Sequence, residues 1–422
     1  MTVYRPTALA SIAMLSLVAL AWPEEPELRR YPDSAYYMRE ARNDDLDNQH
    51  LYARRAPAYP LFLRVVPPGP SLVQAQSWIS LACWCLFGWT VGRTAGVLLA
   101  GLFALSPLVR PWNITLLTES VSLSLLALFL ALSLVLRRAL ERDGAKIRVP
   151  RTTLLGAAWA AAVLAFAMVR DVHLLALPFA ALVLLPARPR GRPAEWARFA
   201  AGSCVLLLVL VVGLRASDAA RRSTIPVYTA LYNNVFNDPE TLASFRAAGL
   251  PDSRYPMSPA VERWIEQGGR GHYLAWAASR LESHRTTWRM LPPPDTSSRL
   301  VERYFDGEAP GLSRWVEATA RRVERASAPP NWLWLPAALL LPAVTRWRTG
   351  RATGTSFIPT VLAAMTYLFA FVSWWGAGTE MLRHGLVAWV LYRATFAVAV
   401  AGWLRQFVTS RTRSRVPSHT HA

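Results

Sequence analysis

Residues 115–136 read TLLTESVSLSLLALFLALSLVL. A helix needs about 20 predominantly apolar residues to cross a bilayer, and this run has that length with one carboxylate, Glu119, in its first turn. Further apolar runs stand at about 7–22, 72–90, 93–109, 152–169, 172–187, 197–215, 332–345, 357–375 and 384–404, about ten spans with the first. Composition agrees. Of 422 residues, 53% are hydrophobic, 17% are charged and 18 are Trp, whereas soluble domains carry roughly a quarter charged residues. The expected fold is therefore an all-α membrane protein.

The net charge of +19 comes almost wholly from arginine. Its placement is topological. The connections RRALERDGAKIRVPR (137–151), ARPRGRPAEWAR (187–198), RWRTGR (346–351) and the tail RQFVTSRTRSR (405–415) fall on alternate sides of the span count, so that side is expected to be cytoplasmic. The basic runs lack interleaved aromatics, which argues against nucleic acid as a partner. The first run, with Arg5 before it and Ala19-Leu20-Ala21 after it, resembles a secretory signal. An uncleaved span is the favoured reading, because Trp22-Pro23 fits poorly after a cleavage site. Cys83, Cys85 and Cys204 all lie in apolar runs and read as packing residues.

This divides the chain into an N-terminal transmembrane module (1–215), an outer helical domain (216–331), a C-terminal transmembrane module (332–404) and a basic cytoplasmic tail (405–422). Apolar spacing in the outer segment predicts helices over 258–268, 271–290 and 311–326. The other outer region is the loop 23–71, which contains DSAYYMREARNDDLDNQHLYARRAPAYP at 33–60. A polar loop held by a rigid scaffold is where chemistry concentrates.

Ionisable residues near the outer ends of spans come from several separate connections: Asp33, Arg55, Arg110, Glu119, Arg170, Asp171, Glu380, Arg383 and His384. Such groups are costly in or near a membrane and mark function. Gathered at one face, they suit an anionic headgroup and the activation of a hydroxyl beside it. Asp33 also suits an ordinary helix N-cap, and Arg55 a snorkelling arginine. Glu119 needs a buried partner, which Arg110 or Arg170 can supply. Asp44-Asp45-Leu46-Asp47 is conspicuous, but acidic loop residues are commonly just solvated, and no metal site is assigned.

DSAYYMREA, RRAPAYPLFL, LLTESVSLSLLALFLAL and FAMVRD, in this order, resemble the GT-C superfamily of polytopic glycosyltransferases, in particular bacterial relatives of protein O-mannosyltransferases. The resemblance implies transfer of a sugar from a polyprenyl-phosphate-linked donor to a glycan, lipid or protein acceptor, with inversion, at the periplasmic or exterior face of a bacterial plasma membrane. It implies Asp33 as general base, Arg55 and an outer arginine (Arg170 or Arg383) on the leaving phosphate, and Glu119 as a catalytic carboxylate that orients an arginine or the sugar, with no obligatory cofactor. The candidate substrate-binding residues at this face are then Arg55, Tyr59, Arg110, Arg170, Asp171, Glu380, Arg383 and His384. The mannosyltransferases carry two adjacent acids in the first loop, whereas here Ser34 follows Asp33. A glycolipid transporter or flippase, and a non-catalytic assembly protein, are the alternatives.

Overall fold

The computed structural model of the protein describes residues 27–42, 55–142, 149–185, 193–222, 224–253, 258–291, 296–305, 314–328, 354–377 and 381–413, with isolated positions 12, 16, 335, 338 and 340. Among these residues the architecture is helical, and the β-pairing is one bridge between Arg29 and Thr115. Among the described residues, five helices are long and apolar enough to cross a membrane: Pro70–Ala104, Thr118–Glu141, Pro193–Ala219, Phe357–Trp375 and Leu386–Leu404. Thr152–Ala167 and Asp171–Val183 are shorter apolar helices. The expected runs at 7–22 and 332–345 lie almost wholly outside the described residues, as does Asp44-Asp45-Leu46-Asp47.

Two short helices, α1 (Ser34–Arg42) and α2 (Ala58–Val65), precede the first long one, α3 (Pro70–Ala104). The last is continuous in sequence but not in direction. Arg93 has φ 55° and ψ −132°, outside helical space. Gly88 and Gly96 lie so close that a Cβ on either would overlap the other's carbonyl group. Eight residues along a straight helix would be about 12 Å apart, so α3 is an antiparallel hairpin turned at Arg93. Its arms hold the apolar run 72–90 and the part of the run 93–109 that ends at Ala104. Glycine permits this approach, as small residues do wherever membrane helices pack without a hydrophobic driving force between them.

The next helices run antiparallel in turn. At one end of α4 (Thr118–Arg142), Gln76 Nε2 of α3 donates to the carbonyls of Asn113 (2.8 Å) and Thr115 (3.1 Å). At the other end, Arg138 Nη1 donates to the Thr90 carbonyl at 2.6 Å. Trp159 of α5 (Val149–Ala167) donates to Ser133 Oγ at 2.9 Å. Arg137 Nη1 donates to the carbonyl of Val183, the last residue of α6 (Leu177–Val183), at 3.4 Å. A long helix α7 (Pro193–Ala219) then returns along the bundle. Its Val205, Leu207, Leu208, Val211, Val212 and Leu214 are exposed. A contiguous apolar face of this extent is not left to water.

The described helices of 216–331 contribute to two cores. Helices α8 (Thr224–Leu231), α9 (Pro239–Ala247), α10 (Pro259–Trp264) and α11 (Arg270–Ser279) enclose their own core, with Leu231, Val235, Phe245, Val261, Ile265 and Tyr273 buried. Asp238 caps α9 through the amide of Glu240, with Pro239 at the first helical position. Trp288 of α12 (Leu281–Met290) packs against the core of the bundle instead, and the helices α13 (Thr296–Phe305) and α14 (Arg314–Ser327) send Leu300, Phe305, Val316 and Ala320 into it. The expected continuous helix over 271–290 is broken at Arg280, whose extended backbone (φ −89°, ψ 120°) ends α11 and starts α12.

The bundle is completed by α15 (Gly354–Ala377), the short α16 (Met381–His384) and α17 (Leu386–Arg413). The alternation carries Asp33, Arg55, Glu119, Arg170 and Arg383 to one end. Arg137 stands about 27 Å along α4 from Glu119, at the other.

Candidate functional site

A short backbone pairing sets the site. The Arg29 amide donates to the Ile114 carbonyl at 2.8 Å, and the Leu116 amide returns to the Arg29 carbonyl at 3.0 Å. Ser34 Oγ then donates to the Leu116 carbonyl at 2.9 Å and accepts from the Tyr31 amide at 2.8 Å. These bonds lay Asp33 beside the first turn of α4. The Asp33 carbonyl accepts from the amides of Tyr36 (3.1 Å) and Tyr37 (3.4 Å). Its carboxylate makes no cap; both its oxygens go to arginines.

Arg55 Nη2 lies 2.6 Å from Asp33 Oδ1. Arg383 Nη2 lies 2.9 Å from Asp33 Oδ2. Arg383 also donates through Nε to Glu119 Oε1 at 2.7 Å, and Arg170 Nη1 donates to the same oxygen at 3.1 Å. Arg170 continues through Nη2 to His384 Nδ1 at 2.7 Å. Guanidinium can only donate, so His384 Nδ1 is the acceptor in this contact. Ser373 Oγ donates to the His384 carbonyl at 2.9 Å. Four outer connections of the chain thus meet in one network, Arg55–Asp33–Arg383–Glu119–Arg170–His384.

The network has depth. The Glu119 side chain is 1% exposed and that of Arg383 6%, whereas those of Asp33 and Arg55 are 26% and 29%. Solvent reaches the Asp33 end, and the arginines lie between it and a carboxylate sealed in the bundle. Burial raises the Asp33 carboxyl, but the hydrogen bond from Arg383 and the charges of Arg55 and Arg383 outweigh it and hold Asp33 below its ordinary value. The Arg55 guanidinium also lies over the rings of Tyr36 (5.1 Å) and Tyr37 (5.3 Å), which fixes it by cation–π attraction. Burial pushes the Tyr37 phenol upward, so it remains a neutral wall.

The other residues read from the sequence fall at different distances from this network. Asp171 is one step away, with Oδ2 at 3.1 Å from Arg222 Nε. Tyr59 is fully buried; its hydroxyl donates to Gln76 Oε1 at 3.2 Å and its ring meets Tyr37 edge-on at 5.2 Å. It supports the floor of the site. Arg110 is buried in the turn Arg110–Ile114 and feels the charge of Glu317 on α14; Arg170 and Arg383, not Arg110, pair with Glu119. Glu380 lies outside the described residues. Among the described residues no group of three His, Cys, Asp or Glu side chains is placed to hold a metal ion. Arg222 is the residue that sequence reasoning missed: one arginine among many, marked by no motif.

No family model and no curated protein matches the chain. Among solved structures, it is similar to the archaeal oligosaccharyltransferase AglB from Archaeoglobus fulgidus in complex with an inhibitory peptide and a dolichol-phosphate. That match has 12% identity and a TM-score of 0.46 over 99% of this chain and 52% of that one. The Archaeoglobus fulgidus oligosaccharyltransferase tethered with an acceptor peptide containing the NVT sequon is similar at 14% identity and a TM-score of 0.45, over 96% of this chain and 51% of that one. The chain thus spans about half the length of these proteins. The likeness is distant, and the chemistry of the site rests on its own side chains.

Proposed function

We propose that the chain is an integral membrane glycosyltransferase. It moves a sugar from a polyprenyl-phosphate-linked donor to an acceptor hydroxyl, with inversion, at the outer face of a bacterial plasma membrane. The observation that supports this most is the partly exposed Asp33 carboxylate set against an arginine wall. Its bonds to Arg55 and Arg383 mark both a base and a phosphate-binding surface. The resemblance of DSAYYMREA, RRAPAYPLFL and LLTESVSLSLLALFLAL to the GT-C superfamily supports the same assignment.

In this reading the acceptor hydroxyl attacks the anomeric carbon opposite the phosphate, and Asp33 accepts its proton. The bond between that carbon and the phosphate oxygen breaks, and the phosphate leaves with the electron pair. Arg55, Arg170 and Arg383 meet its charge through charge-assisted hydrogen bonds, with no obligatory metal. Glu119 orients Arg170 and Arg383 from below. A carboxylate with both oxygens held by guanidinium groups is a poor base. The donor phosphate competes for those groups and releases Asp33, so acceptor activation follows donor binding.

The test compares cell-envelope glycans and glycoproteins by mass spectrometry in cells with the gene, without it, and with Asp33→Asn at parental membrane abundance. The expected result is a glycan lost on deletion and not restored by Asp33→Asn. Full restoration by that variant would overturn the assignment of Asp33. Movement of labelled glycolipid across vesicles, with no new sugar linkage, would instead establish a transporter.

A further inference from the structure

Arg221 and Arg222 are neighbours whose side chains serve different parts of the molecule. Arg221 has φ 54°, a left-handed backbone that a residue with a Cβ adopts where its surroundings impose it. Its guanidinium reaches Glu262 of α10 at 3.6 Å and Glu266 of the following turn at 3.1 Å. Both lie in the unit that carries the second core. Arg222 points into the bundle, and its side chain is 5% exposed. Its Nε is 3.1 Å from Asp171 Oδ2, and its Nη1 donates to the carbonyl of Arg55 at 3.3 Å. Asp171 also takes a hydrogen bond from Ser217 of α7. The carbonyl that Arg222 grips belongs to the same residue whose guanidinium holds Asp33 at 2.6 Å.

We infer that Arg222 is a positioning residue that sets Arg55 against Asp33. The backbone here is clamped on two sides: the Ala58 amide donates to the Met168 carbonyl at 3.1 Å, and Arg222 donates to the Arg55 carbonyl. Pro57, between these bonds, contributes no amide donor. A guanidinium serves Asp171 and the Arg55 carbonyl together because its donors form a rigid fork. A lysine ammonium at the end of a flexible stem keeps the charge but not that geometry. The consequence for turnover rests on the proposed function; the positioning itself does not.

The test therefore reads Asp33 directly, in the full-length protein in nanodiscs without substrate. Carbodiimide labelling of Asp33 across pH, quantified by peptide mass spectrometry, reports how firmly its carboxylate is held. The groups facing it are Arg55 and Arg383, with Tyr36 and Tyr37 against the Arg55 guanidinium and Glu119, Arg170 and His384 behind Arg383. Arg222→Gln and Arg222→Lys are each expected to raise Asp33 labelling roughly three- to tenfold near neutral pH, in the lower part of the range for coupled neighbouring residues. Neither is expected to raise it further in an Arg55→Gln background. Arg222→Lys retains the charge beside Asp171, so it stays folded and carries the test even where Arg222→Gln does not. Unchanged labelling in folded Arg222→Lys, or an equal increase with Arg55 already removed, overturns the inference. A protein that behaves as expected here yet transfers no sugar keeps the positioning role and loses the proposed function.

Discussion

Arg383 Nη2 meets Asp33 Oδ2 at 2.9 Å although the two residues are 350 positions apart in the chain. The contact joins the first described segment to the short helix before α17, and the same guanidinium continues to Glu119. One arginine therefore holds both carboxylates, the exposed one by Nη2 and the sealed one by Nε. A fork of fixed geometry does this with little loss of side-chain freedom, which makes the spacing of Asp33 and Glu119 a property of the site rather than of the loop.

Asp33→Asn is expected to insert and fold as the parent does, because the amide oxygen can still accept from one arginine. Transfer is expected to fall about 10²–10⁴-fold, the usual worth of a positioned general base. Membranes carrying equal amounts of each protein, assayed for incorporation of labelled sugar from the polyprenyl-phosphate donor, measure this. An effect confined to KM, with kcat intact, would make Asp33 a binding residue only.

Asp33 also carries a pH signature. Its folded carboxyl is held below the unfolded value by Arg383 and Arg55 despite burial. The unfolded chain therefore binds the proton more readily. The stabilisation from this ion pair is fully present above about pH 4 and is lost as pH falls through the folded value. Thermal melting of the purified protein from pH 7 down to pH 3 is expected to show a decline that is shallower in Asp33→Asn. Identical declines in the two proteins would mean that other carboxylates carry the acid sensitivity.

Much of this was legible because charges in apolar runs are conspicuous. Glu119 after Leu116-Leu117, Arg170-Asp171 between two spans and Arg383-His384 before another all stood out, and span alternation sent them to one side. The gap between the runs 72–90 and 93–109 was readable, and the reversal at Arg93 lies beside it. What stayed illegible depends on contacts between distant helices. Arg110 is as conspicuous as Arg170, yet the partners of Glu119 are Arg170 and Arg383. Likewise, the division of 216–331 into a separate core and a part merged with the bundle follows from which helical faces meet. Spacing along one helix does not show this.

Glu119→Gln is expected to cost on the order of 3–5 kcal/mol, because it leaves Arg170 and Arg383 buried with less compensating charge. The loss reads as a lower melting temperature and a lower yield of folded protein in detergent. The double variant Glu119→Gln/Arg383→Gln removes one stranded charge with the carboxylate and is expected to recover part of the loss. A double variant no better than the sum of the single ones would show that Glu119 and Arg383 are not energetically coupled.

The hairpin in α3 makes a prediction independent of chemistry. A Cβ at Gly96 would overlap the Gly88 carbonyl, whereas one at Gly92 would meet nothing within 4 Å. The arms must separate to admit even a methyl group, and overpacking typically costs about 1–3 kcal/mol. Because backbone rather than a flexible side chain stands in the way, Gly96→Ala is expected at or above the upper end of that range. Gly92→Ala is expected to melt as the parent does. Equal melting temperatures for the two variants would show that the arms are not in contact. The hydrogen bond from Arg138 to the Thr90 carbonyl, at 2.6 Å, would then be the next link to examine between this end of α3 and α4.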